Sequence, residues 1–176
     1  MAAQRARYAK IRQLTWSLLS DVGVRGPSVP IGEIVARNGI EIRQGALGDV
    51  SGLIARGGRR TVIGINSAQP PVRQRFTLAH EFGHFMLHQG IRTHSDTSFR
   101  VRFRDRVSTE ASDVDEIEAN FFAASILMPR PFLDAVDASE ALGDDERVSE
   151  LALRFNVSGH AMSLRLVNEY GRHSPF

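Results

Sequence analysis

Apolar residues near the start of the chain recur at helical spacing. They are Ile11, Leu14, Leu18, Leu19 and Val22. Steps of three and four residues place such positions on one face of a helix, so roughly the first twenty residues are predicted to form an amphipathic helix. Gly23 and the RGPSVP segment end this helix, because glycine and proline interrupt helical structure.

A second short helix and then extended segments are predicted next. The helix runs from Ile31 to Arg37 and stops at Asn38, after which IEIRQ is extended. Two β-rich runs, VSGLIAR and RRTVIGIN, lie on either side of Gly57 and Gly58. Strand-forming residues separated by such a turn signal predict an antiparallel hairpin.

Helical patterns fill most of the remaining chain. Pro70 and Pro71 suit a first helical turn and open the helix that carries RFTLAHEFGHFMLH. Another helix is predicted from near Ser112 to just before Met128, and two more over VSELALRFN and GHAMSLRLVNEYG. The polar stretch 139–150 is expected to be a flexible loop.

These elements predict a helix-rich α+β fold with one small antiparallel sheet ahead of the motif helix. A chain of 176 residues with 42% apolar content supports one well-buried core. We therefore predict a single domain over residues 1–176. It would comprise a helical part (1–45), the hairpin with the two central helices (46–135) and a helix-turn-helix-like part (146–176).

Composition narrows the chemistry of any metal site. The chain has no cysteine, so a metal would be held by imidazole, carboxylate and water. A net charge of +2 on 22 basic and 20 acidic residues is a weak reason to expect a nucleic-acid partner. The N-terminus lacks the pattern of a signal peptide, and no apolar run of about 18 residues occurs. We expect a cytoplasmic protein with no membrane partner.

The segment RFTLAHEFGHFMLH carries His80 and His84 four residues apart, with Glu81 directly after the first. On a helix, positions i and i+4 lie on one face, so both imidazoles can reach one metal ion. Glu81 is rotated by about 100° from His80, which removes it from the ligand set but lets it reach a water at the ion. The H-E-x-x-H pattern therefore predicts two metal ligands and a general base.

His88 repeats the same spacing but cannot complete this site. Eight residues of helix span about 12 Å, so His88 cannot bind the ion that His80 binds. We expect His88 to pack or hydrogen-bond at the helix end, with substrate contact as the alternative. The longer metalloprotease pattern with a third histidine is absent, since it needs glycine and histidine where this chain has Leu87 and Gly90.

A third ligand is expected from the later helix, DEIEANFFAASILMP. Glu116 and Asn120 share one face of it, and Glu118 points in roughly the opposite direction. We choose Glu116, because Ala119 and Ala123 beside it would let the two helices approach closely. The Asn120 carbonyl would accept the spare ring N–H of a ligand histidine. The alternative for Asn120 is an ordinary helix-interior amide.

The other acids of this helix are assigned a simpler role. Asp113, Asp115 and Glu118 are expected to favour the helix dipole from the first turn, which is also the alternative for Glu116.

Two neutral imidazoles and one carboxylate suit a catalytic zinc site with one open position, with manganese as the alternative ion. Water activated by zinc and Glu81 would attack a carbonyl polarised by the metal, so peptide hydrolysis is the expected reaction. The pattern does not identify the donor that stabilises the oxyanion. The unranked candidates are Arg75, His94, His160 and Tyr170.

These segments resemble the ImmA/IrrE family of bacterial and phage zinc metallopeptidases. The resemblance rests on RFTLAHEFGHFMLH and EIEANFFAASILMP, with VPIGEIVARNGIEIR and the hairpin before them and LALRFNVSGHAMSLRL after them. It implies a zincin-like core in which His80, His84 and Glu116 hold zinc and Glu81 is the catalytic glutamate. It also implies that the substrate is a helix-turn-helix repressor encoded nearby. Asn156 stands where the family often has glycine, and asparagine tolerates the left-handed conformation.

Two basic features and the hairpin leave a binding role open. FRVRFRDRV, within the polar connection 90–109, predicts an extended segment with a basic face, which is either a solvated edge or a dock for an acidic peptide or single-stranded DNA. LALRFNVSGHAMSLRL imitates a helix-turn-helix with Ser158 as a cap, but Arg154 and Arg165 are its only basic residues, so DNA binding is a weak expectation.

The hairpin either offers an edge to a substrate peptide or is purely structural. The alternative function is a non-catalytic regulator that binds DNA or the repressor.

Overall fold

The computed structural model describes residues 6–57, 60–88, 93–96 and 110–171. These residues form seven α-helices, one 3-10 helix and four strands. The helices are α1 (Tyr8–Asp21), α2 (Ile31–Arg37), α3 (Pro71–Leu87), α4 (Glu110–Leu127), α5 (Arg130–Asp134), α6 (Asp145–Phe155) and α7 (Gly159–Tyr170). The strands are β1 (Ile40–Gly45), β2 (Gly52–Gly57), β3 (Arg60–Asn66) and β4 (Thr93–Asp96), and the 3-10 helix spans Ala138–Ala141.

The predicted helices are present, and their ends follow the turn residues in the sequence. Gly23 and Gly39, just beyond α1 and α2, have φ angles of 70° and 75°, a conformation that glycine adopts without steric cost. Pro71 occupies the first turn of α3, as predicted. The start of α4 differs, since this helix begins at Glu110 rather than near Ser112.

The sheet is mixed, whereas an antiparallel sheet was predicted. Its strand order is β1-β3-β2-β4. The hairpin of β2 and β3 is antiparallel as predicted, but β1 pairs in parallel with β3, with Ile42 opposite Ile63. The chain reverses once between β1 and β2 and again in the hairpin, so β3 runs in the same direction as β1, and it lies between β1 and β2. The polar connection after Gly90 was predicted to be extended only at FRVRFRDRV, but β4 lies ahead of that segment and pairs antiparallel with β2.

The stretch 139–150 was predicted to be a flexible loop, and this prediction is wrong. Ala138 and Ala141 are buried in the 3-10 helix. The side chain of Asp144 accepts hydrogen bonds from the backbone N–H groups of Glu146 and Arg147, each at 3.1 Å, and so caps the start of α6. The capping and the two small buried side chains order a segment that looks polar along the sequence.

The turn between α6 and α7 matches its prediction. Asn156 ends α6 with a φ angle of 54°, in the left-handed region that asparagine tolerates. The hydroxyl of Ser158 accepts from the backbone N–H of Ala161 at 3.1 Å and caps α7. Arg165 lies inside the core rather than on the surface of this pair, since it is 3% exposed and donates to the carbonyl of Met128.

The motif helix α3 lies between the sheet and α4. On the sheet side the core contains Ile54 and Ile63, and on the other side Phe82 meets Phe122 edge to face, with ring centroids 5.6 Å apart. Burying an aromatic or branched side chain contributes roughly 1.5–3 kcal/mol, so α3 is held from both faces. None of the described helices combines the length and apolar character needed to cross a bilayer. The FRVRFRDRV segment lies outside the described residues.

Candidate metal centre

The H-E-x-x-H residues lie in the most buried part of α3. His80, Glu81 and His84 are 1%, 0% and 1% exposed. The spacing of four residues brings the two imidazoles together, with Nε2 of His80 3.1 Å from Nε2 of His84. The local geometry is therefore that of two ring nitrogens aimed at one point.

Glu116 of α4 completes a triangle of donor atoms. Its Oε1 lies 3.2 Å from Nε2 of His84, and its Oε2 lies 3.5 Å from Nε2 of His80. Ligands at about 2.0–2.1 Å from a tetrahedral zinc are roughly 3.3 Å apart. The separation of the two Nε2 atoms, and that of each Glu116 oxygen from the imidazole it faces, are close to this value, and one donor atom from each residue lies within 4.8 Å of the other two. The Glu116 side chain is 42% exposed, which leaves the triangle open to solvent on one side. The residues present therefore fit a metal ion with an open position.

Asn120, one turn after Glu116, lies against the first histidine. Its Oδ1 is 3.1 Å from Nδ1 of His80. Because the amide oxygen only accepts, this contact is a hydrogen bond when Nδ1 of His80 is protonated, which leaves Nε2 with a lone pair for an ion.

His88 ends α3 in a buried hydrogen-bonded position. Its Nδ1 lies 3.0 Å from Nδ1 of His84, and its Nε2 lies 3.2 Å from Oε2 of Glu118. Arg56 of β2 donates to the carbonyls of His84 and His88 at 3.3 and 3.4 Å, which holds the last turn of the helix. The structure thus places His88 in hydrogen-bonding contact at the helix end.

Glu118 was assigned to the first turn of its helix, and this assignment is wrong. Because α4 begins at Glu110, Glu118 lies beyond the second turn, and it is fully buried. Arg7 donates to it from the backbone N–H at 2.7 Å and from Nε at 2.9 Å. Burial alone would raise the pKa of Glu118, but hydrogen bonds from Arg7 and from His88 outweigh burial and lower the pKa to about 2. Asp115 is also more than a helix-end acid, since its Oδ1 lies 3.3 Å from Nε2 of His88.

Gly52 of β2 lets the sheet approach Glu81 closely. A Cβ atom on Gly52 would collide with Cγ2 of Thr77 and would stand 3.4 Å from Cγ of Glu81. Gly83 has a similar role toward α4, because its own Cβ would lie 3.1–3.2 Å from Phe122. Sequence reasoning missed Gly52, although glycine inside a strand is a recognised signal of close backbone approach.

Two of the remaining candidates, Arg75 and Tyr170, donate hydrogen bonds to groups outside the donor triangle. The Arg75 guanidinium donates to the carbonyls of Asn156 and Val29 at 3.1 and 2.9 Å. Tyr170 donates to Asp134 at 2.6 Å, and His160 is exposed on α7. His94 lies in β4, in register with Ile54 of β2.

Residues 36–167 match the sequence profile of the Peptidase M78 family, described as the IrrE N-terminal-like domain. The chain belongs to this family. Over 110 residues the M78 chain is 38% identical to the radiation response metalloprotease IrrE of Deinococcus radiodurans, and this alignment covers 61% of the chain and 31% of that protein. The M78 assignment agrees with the metal-binding geometry, because the family is one of metallopeptidases.

A solved structure described as a Mycobacterium tuberculosis transcriptional regulator is similar to the M78 chain with a TM-score of 0.62 and 24% identity. The likeness covers 90% of the M78 chain and 46% of that chain. At this identity it shows the fold, a helix-rich α+β domain. The M78 chain therefore spans less than half the length of both relatives.

Proposed function

We propose that this chain is a zinc-dependent endopeptidase, with manganese as the alternative ion. The observation that carries the proposal is the group of His80, His84 and Glu116, whose nearest donor atoms are 3.1–3.5 Å apart, directly beside Glu81 on α3. An ion held by these three residues would supply Lewis acidity, which polarises a carbonyl and lowers the pKa of water.

The protein's own residues supply the remaining steps. Glu81 takes a proton from the attacking water and returns it to the leaving amine, which a buried carboxylate beside the site can do. Asn120 keeps Nε2 of His80 unprotonated. The open side of the triangle at Glu116 admits the substrate carbonyl.

The proposed substrate is an extended peptide segment of a helix-turn-helix repressor encoded near the enzyme. Within the described residues β4 is the outer strand next to β2, and β2 packs over Glu81. Since β4 covers the edge of the hairpin, a peptide would add to β4 as a further strand of the sheet that packs over Glu81. The repressor as substrate follows from the resemblance to the ImmA/IrrE family.

The test incubates the zinc-loaded chain with the co-encoded repressor and analyses the products by mass spectrometry. Glu81→Gln keeps the shape of the side chain and removes the proposed base, and Glu150→Gln makes the same change at an exposed position of α6 as the matched control. We expect one defined cut with the wild type and with Glu150→Gln, and none with Glu81→Gln. If all three leave the repressor intact but change its DNA binding in a mobility-shift assay, the chain is a non-catalytic regulator.

A further inference from the structure

A continuous row of hydrogen-bonding groups leads away from the donor triangle through His84. Nδ1 of His84 faces Nδ1 of His88 at 3.0 Å, and Nε2 of His88 faces Oε2 of Glu118 at 3.2 Å. Arg7 closes the row, since its Nε donates to both oxygens of Glu118 at 2.9 and 3.2 Å. Exposure of the His88 side chain is 5% and that of the Glu118 side chain is 1%, so water does not compete for these contacts.

The protonation of each ring follows from the groups at the two ends of the row. The Nε2 atoms of His80 and His84 would share the ion, but the Nδ1 atoms of His84 and His88 form a hydrogen bond only if one donates and the other accepts. Nε2 of His84 must carry a lone pair if it is to bind an ion, so the proton of His84 is on Nδ1 and is donated to Nδ1 of His88. The proton of His88 is then on Nε2, where it meets the carboxylate oxygen of Glu118. Every donor along the row has an acceptor in this single arrangement.

We propose that His88 is a positioning residue for the metal ligand His84. Its Nδ1 accepts the Nδ1–H of His84, fixing the tautomer and the orientation of that ring, while Glu118, held by Arg7, fixes the tautomer of His88. The inference rests on the proposed function, because it assumes that His84 binds the ion. In this account His88 and Arg7 help to hold His84 in place, as Asn120 does for His80.

A second ion is the competing use of the same residues. His88, Asp115 and Glu118 also bring donor atoms within 4.8 Å of one another, which is close enough for a shared ion. Arg7 argues against it, because its guanidinium and backbone N–H already donate to both oxygens of Glu118 and its positive charge faces the same carboxylate. The row of hydrogen bonds predicts one ion per chain, whereas a second ion site predicts two.

Three substitutions at His88 separate its two contacts. His88→Phe keeps the ring shape and removes both. His88→Asn keeps an acceptor oxygen near the place of Nδ1, facing His84, but does not reach Glu118. His88→Gln puts its amide near the place of Nε2, facing Glu118, but leaves Nδ1 of His84 without its acceptor. His160→Gln is the matched control, because it removes an exposed histidine from α7.

The experiment measures the zinc dissociation constant of chelator-treated chain by competition with a chromophoric chelator, and the visible spectrum of the cobalt-loaded chain. We expect His88→Phe to weaken zinc binding by about 10- to 100-fold, as loss of a ligand's supporting hydrogen bond does. We expect His88→Gln to behave like His88→Phe, His88→Asn to remain closest to the wild type, and the cobalt spectrum to change in the same order. Thermal unfolding of the metal-free variants separates a loss of fold from a loss of affinity.

The outcomes discriminate between the inference and the proposed function. If the wild type binds one ion and His88→Phe or His88→Gln binds it as tightly, the positioning role is wrong and the proposed function stands. Two ions per wild-type chain, with the second lost in every His88 variant, would also overturn the positioning role. If the wild type and His160→Gln bind no ion at all, the proposed function fails and the inference fails with it.

Discussion

Arg7 donates both its backbone N–H and its guanidinium to the carboxylate of Glu118, which lies 111 residues later in the chain. Arg7 immediately precedes α1, and Glu118 is in the middle of α4. One buried carboxylate therefore fastens the start of the N-terminal helix to the helix that carries the expected third ligand, Glu116.

The Arg7–Glu118 contact predicts a specific loss of stability in acid. The pKa of Glu118 is lowered to about 2 in the folded chain, against an ordinary value near 4.3. A lowered carboxyl pKa stabilises the fold above the unfolded value, and this contribution is lost as the pH falls from about 5 toward 2. We expect the free energy of unfolding of the wild type, measured with urea and a chelator, to fall more steeply over this range than that of Glu118→Gln. Parallel curves would contradict the prediction.

The close approach of Gly52 predicts a steric effect at Glu81, the proposed general base. In Gly52→Ala the added methyl group must displace the buried Thr77 side chain, whose branched Cβ leaves it little freedom, so we expect about 1–3 kcal/mol of destabilisation. Glu81 is beside the same methyl group, so peptidase activity should fall as well. Gly57→Ala in the same strand is the control, because a Cβ there meets no atom within 4 Å. Equal unfolding free energies in urea for the two variants would contradict this account.

If an ion binds to the donor triangle, we expect its removal to lower the free energy of unfolding. A ligand that binds the folded chain alone stabilises it by about 2.7 kcal/mol at a hundredfold excess over its dissociation constant. We expect zinc to raise the melting temperature of the wild type and a chelator to reverse this. His84→Ala should lose the effect and His160→Ala should keep it, since only the first removes a side chain of the donor triangle. A zinc effect of equal size in His84→Ala would place the ion elsewhere.

We expect replacement of Arg75 to lower the free energy of unfolding with little direct effect on the peptidase reaction. Its guanidinium donates to the carbonyl of Val29 ahead of α2 and to that of Asn156 after α6. Arg75→Ala leaves two acceptors without their donor, so we expect destabilisation of about 1–3 kcal/mol in urea unfolding and an unchanged KM. Arg154→Ala, on the exposed face of α6, should have no such effect. A large rise in KM without a change in stability would instead support the oxyanion or substrate role considered for Arg75.

Local sequence was sufficient for the features that depend on helical or strand periodicity. The bounds of α2, the proline start of α3, the hairpin and the caps at Asn156 and Ser158 all follow from residues within a few positions of one another. The i, i+4 rule likewise places His80 beside His84 whatever the rest of the chain does.

Contacts between distant segments were not predictable in this way. Glu118 resembled a helix-end acid because nothing near it in sequence reveals Arg7, and Arg165 looked like surface charge although it is buried beside Glu169. The parallel pairing of β1 with β3 was also missed, because it depends on where the hairpin packs against β1 and the sequence of a single strand does not determine this.

The sequence by itself determined which side chains share a helix face, because that depends on a rotation of about 100° per residue. It therefore placed the two imidazoles on one face of α3 with Glu81 beside them, and selected Glu116 and Asn120 as one face of α4. Only the tertiary structure decided how near α4 stands to α3, which groups support His88, and how closely β2 covers Glu81. Those distances depend on packing between segments far apart in the chain, where small residues such as Gly52 and Gly83 set the approach.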